Sequence, residues 1–238
     1  MESSSKGKLF LIPTVISAGT ERKVIAPIIL ESLKTINYFL VEEVRTARRY
    51  LSSLNIYESI EDLQFQVLNK DTKEEALEKF FEPVLSGHNL GILSESGCPG
   101  VADPGAIAVN YAHRKKIKVI PIVGPSSLLL ALMASGLNGQ QFAFHGYLPI
   151  DAKEAARKIK ELEKESELKN QTQIFIETPY RNNQIVKHLT GSLKGDTQLC
   201  IAVDLTGENE FVETKLASAW KKNMPLLPKE PAVFLFLA

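Results

Sequence analysis

Among 238 residues the chain has only two cysteines, Cys98 and Cys200. They are too few for a disulfide framework and sit at no metal-ligand spacing, which excludes a disulfide-stapled scaffold and a zinc module. Charge of one sign is also missing, with 28 Lys and Arg against 28 Asp and Glu. A dedicated nucleic-acid binder usually carries a basic excess, so any such role has to rest on local clusters. Arg45, Arg48 and Arg49 form one cluster and His113 to Lys116 another; solvated helix faces are the ordinary account of such runs. No apolar run approaches the ~18 residues of a membrane span. The opening MESSSKGKLF has no long apolar core of the kind a secretory leader needs. These absences predict a soluble, cytoplasmic protein with no membrane partner. A Gly-x-Gly-x-x-Gly turn after the first strand is absent as well, which disfavours a dinucleotide-binding oxidoreductase. No internal repeat occurs, and low complexity is confined to residues 2–7.

What is present is an ordinary globular composition, 44% hydrophobic and 24% charged. Strand-like runs alternate with helical ones. KLFLIP reads as a first strand, residues 25–36 as a helix, and YFLV as a strand running into Glu42-Glu43-Val44-Arg45 and a helix to Leu54. Asp71-Thr72-Lys73-Glu74 has the form of a capping box before a helix ended by Gly87. After Gly136 the texture changes. Strands at FAFHGYL, TQIFIE, QLCIAVDL, residues 210–215 and AVFLFL are interleaved with helices at 151–168, 182–189 and 217–223. The expected fold class is α/β, with two α/β domains, 1–118 and 119–238, the first largely parallel and the second of mixed direction.

The richest stretch is residues 90–127. Two short apolar strands each open into a turn of glycine, proline and serine: Ser94-Glu95-Ser96-Gly97-Cys98-Pro99-Gly100, then Gly124-Pro125-Ser126-Ser127. Ligands of open α/β sheets bind in the crevice outside the carboxyl ends of strands. Glycine lets a backbone approach a ligand, and a proline-serine pair begins a helix whose free N–H groups suit an anion. A small-molecule site is therefore expected at these turns.

The same residues resemble the class III, tetrapyrrole methylase-type S-adenosylmethionine-dependent methyltransferases, and among them most the ribosomal RNA small subunit methyltransferase I family. Glu42-Glu43-Val44-Arg45 stands for that family's E-D-T-R, and Ser94-Glu95-Ser96-Gly97-Cys98-Pro99 with Asp103-Pro104-Gly105 for its S-D-A-G-T-P and D-P-G. Pro121-Ile122-Val123-Gly124-Pro125-Ser126 matches P-x-P-G-P-S, and Glu177-Thr178-Pro179-Tyr180-Arg181 lies where the family has E-S/A-x-H-R. Pro13-Thr14-Val15-Ile16 keeps the threonine and isoleucine of the family's T-P-I-G-N turn and loses the rest.

The resemblance implies S-adenosylmethionine held between the two domains by Pro13, Ser94, Glu95, Ser96, Gly97, Gly124, Pro125, Ser126 and Ser127, with no metal. It implies methyl transfer to a ribose 2′-hydroxyl of small-subunit ribosomal RNA, and a homodimer with the FAFHGYL segment and the C-terminal strand as interface elements. Glu43, Arg45 and Glu42 are the expected catalytic residues, because a hydroxyl nucleophile benefits from a nearby carboxylate and an arginine can hold a phosphate. Glu177, Tyr180 and Arg181 are the expected substrate-binding residues. A small tetrapyrrole-like acceptor, or a catalytically weak S-adenosylmethionine-binding protein, are the alternatives.

Overall fold

A computed structural model describes residues 6–238; residues 2–5 of the low-complexity segment lie outside the described residues. The chain divides into two units at Ser126 and Ser127. The first contains, in order, β1 (Leu9–Ile12), α1 (Glu21–Val24), α2 (Pro27–Leu33), β2 (Ile36–Val41), α3 (Val44–Ser53), β3 (Gln64–Val67), α4 (Glu74–Phe80), α5 (Glu82–Leu85), β4 (Asn89–Leu93), α6 (Gly105–Arg114) and β5 (Val119–Pro121). The second contains α7 (Ser127–Ser135), β6 (Phe142–Tyr147), α8 (Ala152–Lys169), β7 (Thr172–Glu177), a 3-10 turn (Pro179–Arg181), α9 (Asn182–Ser192), β8 (Gln198–Val203), β9 (Phe211–Leu216), α10 (Ala217–Lys222) and β10 (Ala232–Leu237). The division falls after 126 rather than after 118 because β5 is hydrogen-bonded to β1 and completes the first sheet.

That first sheet is parallel throughout, in the order β3-β2-β4-β1-β5. Its strands alternate between two cores. Phe39 and Val41 of β2 pack with Ile29 and Leu33 of α2 and with Ala47 and Leu51 of α3. Leu40 between them faces Leu77, Phe81 and Val84 of α4 and α5 and Ala108 and Tyr111 of α6. A strand buried on both faces reads as a continuous apolar run, which is why YFLV carries no polar alternation. The chain leaves β1 toward β2 on one side and leaves β4 toward β5 on the other. The adjacent carboxyl ends of β1 and β4 are therefore the topological switch point of this sheet, the place where ligand crevices open in α/β folds.

The second sheet is mixed, in the order β6-β7-β10-β8-β9, with β6 parallel to β7 and the other pairs antiparallel. Phe175, Phe234, Phe236 and Trp220 fill its core with residues of α8 and α9. The Trp220 indole N–H donates to the Leu199 carbonyl at 2.8 Å, so the ring's one polar atom is satisfied. The C-terminal strand lies at the centre of this sheet and is buried, so it is unavailable as the dimer interface expected of it; β6, at the edge, is exposed at Phe142 and Tyr147.

Two local expectations are corrected. No capping box forms at residues 71–74: α4 begins after Lys73 without a side-chain cap, and the Thr72 hydroxyl is instead drawn into a turn with Asn69. The helix expected to run to Gly87 is broken at Phe81, where α5 starts with a proline in its first turn.

Candidate functional site

Each parallel strand of the first sheet ends at the same edge, so the turns after β1, β2, β4 and β5 gather there. Short hydrogen bonds to backbone carbonyls tie them together. Thr14 donates its N–H to the Gly97 carbonyl at 3.0 Å and its hydroxyl to the Ser94 carbonyl at 3.1 Å. Tyr50 of α3 donates to the Pro13 carbonyl at 3.2 Å. The Cys98 thiol donates to the Pro125 carbonyl at 3.3 Å, joining the β4 and β5 turns. Burial pushes this thiol's pKa up, away from the reactive thiolate.

The glycines at this edge have packing reasons of their own. Gly97 holds a φ of +70°, in the left-handed region. A Cβ on Gly124 would lie 2.2 Å from the Pro13 Cβ. Gly124 is small because the β1 turn lies against it, where the sequence suggested a backbone approaching a ligand.

Four carboxylates come from these turns: Glu42 and Glu43 after β2, Glu95 and Asp103 after β4. Glu43 is the N-cap of α3, its Oε1 accepting the Arg45 backbone N–H at 3.0 Å. Asp103 Oδ1 accepts from the N–H groups of Gly100 at 2.9 Å and Gly105 at 2.6 Å, which folds the turn into α6. That leaves Asp103 Oδ2 buried and without another partner. Glu42 lies against it. Burial first, then the charges of Asp103 and Glu95, push the Glu42 pKa up to about 7. In its protonated form Glu42 supplies the donor that Asp103 Oδ2 lacks. Glu95 is also raised by burial, while contacts with the Thr46 hydroxyl and the Glu43 backbone N–H hold part of that rise back.

Arg45, Arg48 and Arg49 project from α3, and no carboxylate lies within ion-pair distance of them among the described residues. Arg48 covers the Phe65 ring at 5.5 Å.

The residues expected to bind substrate in the second unit have different environments. Glu177 is buried; its Oε1 accepts the Thr178 N–H at 2.8 Å and its Oε2 lies 3.3 Å from the Arg181 guanidinium. Arg181 also donates to the Pro149 carbonyl at 3.2 Å. This pair locks the loop after β7. Tyr180 alone is free, 83% exposed, with the Lys229 ammonium 5.5 Å from its ring. Ser127 opens α7, while Pro13, Ser94 to Gly97 and Gly124 to Ser126 belong to the first unit's edge. The sequence did not single out Asp103 for this carboxylate cluster. Its proline-glycine context signals a turn, and only the fold brings it to Glu42.

A sequence profile of the tetrapyrrole (corrin/porphyrin) methylases matches residues 26–219. The ribosomal RNA small subunit methyltransferase I of Vibrio cholerae is 29% identical over 205 residues, 86% of this chain and 67% of that protein. The Thermotoga maritima protein of the same name is 29% identical over 224 residues, 92% of this chain and 95% of its own. The solved structure of the methyltransferase CobJ shares the fold, with a TM-score of 0.62 at 14% identity over 96% of this chain and 93% of that one. The class is thereby defined: an S-adenosylmethionine-dependent methyltransferase. The chain belongs to the tetrapyrrole methylase family. Among its described residues no helix is long and apolar enough to cross a membrane.

Proposed function

We propose that this methyltransferase modifies a ribose 2′-hydroxyl of small-subunit ribosomal RNA in the cytoplasm, acting as a homodimer. Relatives that align along nearly all of the chain carry the name of a small-subunit ribosomal RNA methyltransferase. The observation in this molecule that favours RNA is the row of arginines on α3. Arg45, Arg48 and Arg49 stand without carboxylate partners among the described residues, beside the edge where the turns gather. Unpaired arginines at the mouth of a site suit phosphates, which release counterions on binding. The neutral net charge of the chain then matters little, because this field is local.

The edge suits S-adenosylmethionine by the chemistry of its donors and walls. The exposed Ser96 hydroxyl and the backbone and hydroxyl of Ser126 offer hydrogen bonds, while the Ser94 hydroxyl is spent on the Ser96 backbone and the Ser94 carbonyl on Thr14. Val123, 78% exposed in the turn after β5, offers an apolar surface. When bound, the cofactor supplies a sulfonium-borne methyl; oxygen–carbon bond formation breaks the carbon–sulfur bond in line and leaves a neutral thioether. The protein aligns the partners, which alone is worth several powers of ten in rate.

The hydroxyl proton needs an acceptor, and Glu42 is the group whose environment suits that task. A base is most effective when its pKa lies near the working pH, and Glu42 is held at about 7. Glu43 is committed to capping α3, and Arg45, in the first turn of that helix, is free to hold a phosphate. For the dimer, Leu129 and Met133 on successive turns of α7 and Phe142 and Tyr147 on the edge strand β6 are exposed apolar groups of the kind an interface covers.

The test is transfer of a tritiated methyl group to small ribosomal subunits that lack their native modifications. Label should enter RNA, at a nucleotide whose 3′ phosphodiester resists alkali because its 2′-oxygen is blocked. Label confined to protein or to a small tetrapyrrole would overturn the reading.

A further inference from the structure

A cavity of about 200 Å³ opens between the loop after β1, the turn after β4 and the face of α3. Because it lies at the carboxyl ends of β1 and β4, it occupies the topological switch point of the parallel sheet. All its lining residues belong to the first unit.

Its size decides what it can take. Pockets that enclose a whole cofactor-sized ligand run from about 300 to 1,000 Å³. This one has room for a single ring system and too little for S-adenosylmethionine.

Its lining has two parts. Ile16, Ala47, Tyr50 and Leu93 are buried and make an apolar interior. Tyr50's hydroxyl is spent on the Pro13 carbonyl, so the ring alone faces the space. The outer part is polar and more exposed: Glu21, Arg49, Ser53 and Glu95. Glu95 is engaged with Thr46. Glu21 is close enough to Tyr50 to push the phenol's pKa up further than burial alone does. No basic group lies within ion-pair distance of Glu21, and no acidic group within that distance of Arg49, among the described residues. An apolar slot with one free carboxylate and one free guanidinium at its mouth matches a flat ring that carries an amine and is joined to an anion.

Resting on the RNA reading above, we propose that this cavity receives the base of a nucleotide at the acceptor site. Glu21 accepts from an exocyclic amine on the base, and Arg49 holds an adjacent phosphate. A carboxylate reads an amino edge and rejects a carbonyl edge, so Glu21 is a specificity-determining residue. This role is separate from proton removal by Glu42, which lines no part of the cavity.

Three variants test it: Ser53→Trp, which blocks the mouth from an exposed position, Glu21→Ala and Glu21→Gln. Each is assayed by methyl transfer to unmodified small ribosomal subunits and by titration calorimetry with S-adenosylmethionine. The expected result is a KM for subunits raised at least about tenfold in Ser53→Trp and Glu21→Ala, with partial recovery in Glu21→Gln and cofactor Kd within about twofold of wild type, the loss a good base contact carries. Should Ser53→Trp fail to fold, the two Glu21 variants decide alone. Wild-type KM and kcat in these variants, with the wild-type enzyme active on RNA, would overturn the base pocket and leave the RNA reading intact. Absence of transfer to RNA by the wild-type enzyme itself would overturn both.

Discussion

Glu42 and Asp103 form a carboxyl pair that the sequence holds 61 positions apart and the sheet brings together. Asp103 is fixed by two backbone N–H groups on one oxygen, its other oxygen is buried without a partner, and its charge is among the causes that raise the Glu42 pKa. If Glu42 takes the proton from the acceptor hydroxyl, turnover needs it ionised. The rate should rise about tenfold per pH unit below 7 and level off above it, because Glu42 titrates at about 7. Glu42→Gln should lose turnover by about 100-fold or more and lose this limb, while cofactor affinity holds. A variant that keeps the limb would assign the base elsewhere. Glu43→Ala should instead cost about 1 kcal/mol of stability, as an N-cap does.

The same pair makes a prediction for stability. Between its usual value of 4.5 and about 7, folded Glu42 retains a proton that the unfolded chain has released. The folded state then binds more protons, so the contribution of Glu42 to stability is fully present below 4.5, falls as pH rises through this window, and is gone above about 7. Glu95 is raised as well and acts with the same sign. Urea midpoints measured at pH 5 and pH 8 should differ less in Glu42→Gln than in the wild type. Parallel shifts in the two proteins would mean that Glu42 is not the group responsible.

Gly124 should tolerate no side chain. Gly124→Ala places a methyl group 2.2 Å from Pro13, against backbone that is itself held by Tyr50 and Gly97. Relief requires the β1 and β5 turns to separate, at a cost of about 1–3 kcal/mol. Thermal unfolding measures this directly, and an unchanged Tm would show that the turns are looser than their packing indicates. A larger residue at 124 would confound any reading of ligand contact with this strain.

The strands were legible where their apolar runs are long. β7 and β10 run over the residues their sequences suggest, and β1, β2 and β4 differ only at their ends. β3 was not legible: Gln64-Phe65-Gln66-Val67 is a short edge strand, exposed on most of its residues, and half its side chains are glutamine. The second sheet's order was equally hidden, since a C-terminal run such as AVFLFL gives no sign that it inserts between β7 and β8. At the edge, the turns carried their glycines and carboxylates in plain view. Their division of labour was not visible, because capping by Glu43, the Pro13 contact of Gly124 and the Glu42–Asp103 pair all depend on atoms brought from separate segments.

Arg45 offers a test that needs no turnover. It stands on the first turn of α3 with its guanidinium unpaired among the described residues, and its backbone N–H is held by Glu43, so its side chain is free to meet a phosphate. Each phosphate neutralised by a basic side chain releases condensed counterion, with a slope of about −0.7 in log K against log salt for single strands and about −0.9 for duplex. Arg45→Ala should therefore weaken binding to small-subunit RNA and flatten the salt dependence by about one such unit. Calorimetric affinity for S-adenosylmethionine should stay at the wild-type value, since the cofactor's contacts are expected on the turns and not on this helix. Because the loss is electrostatic, it should shrink as salt rises, whereas damage to the fold would persist at every ionic strength. A loss of RNA affinity independent of salt would therefore remove Arg45 from the phosphate path.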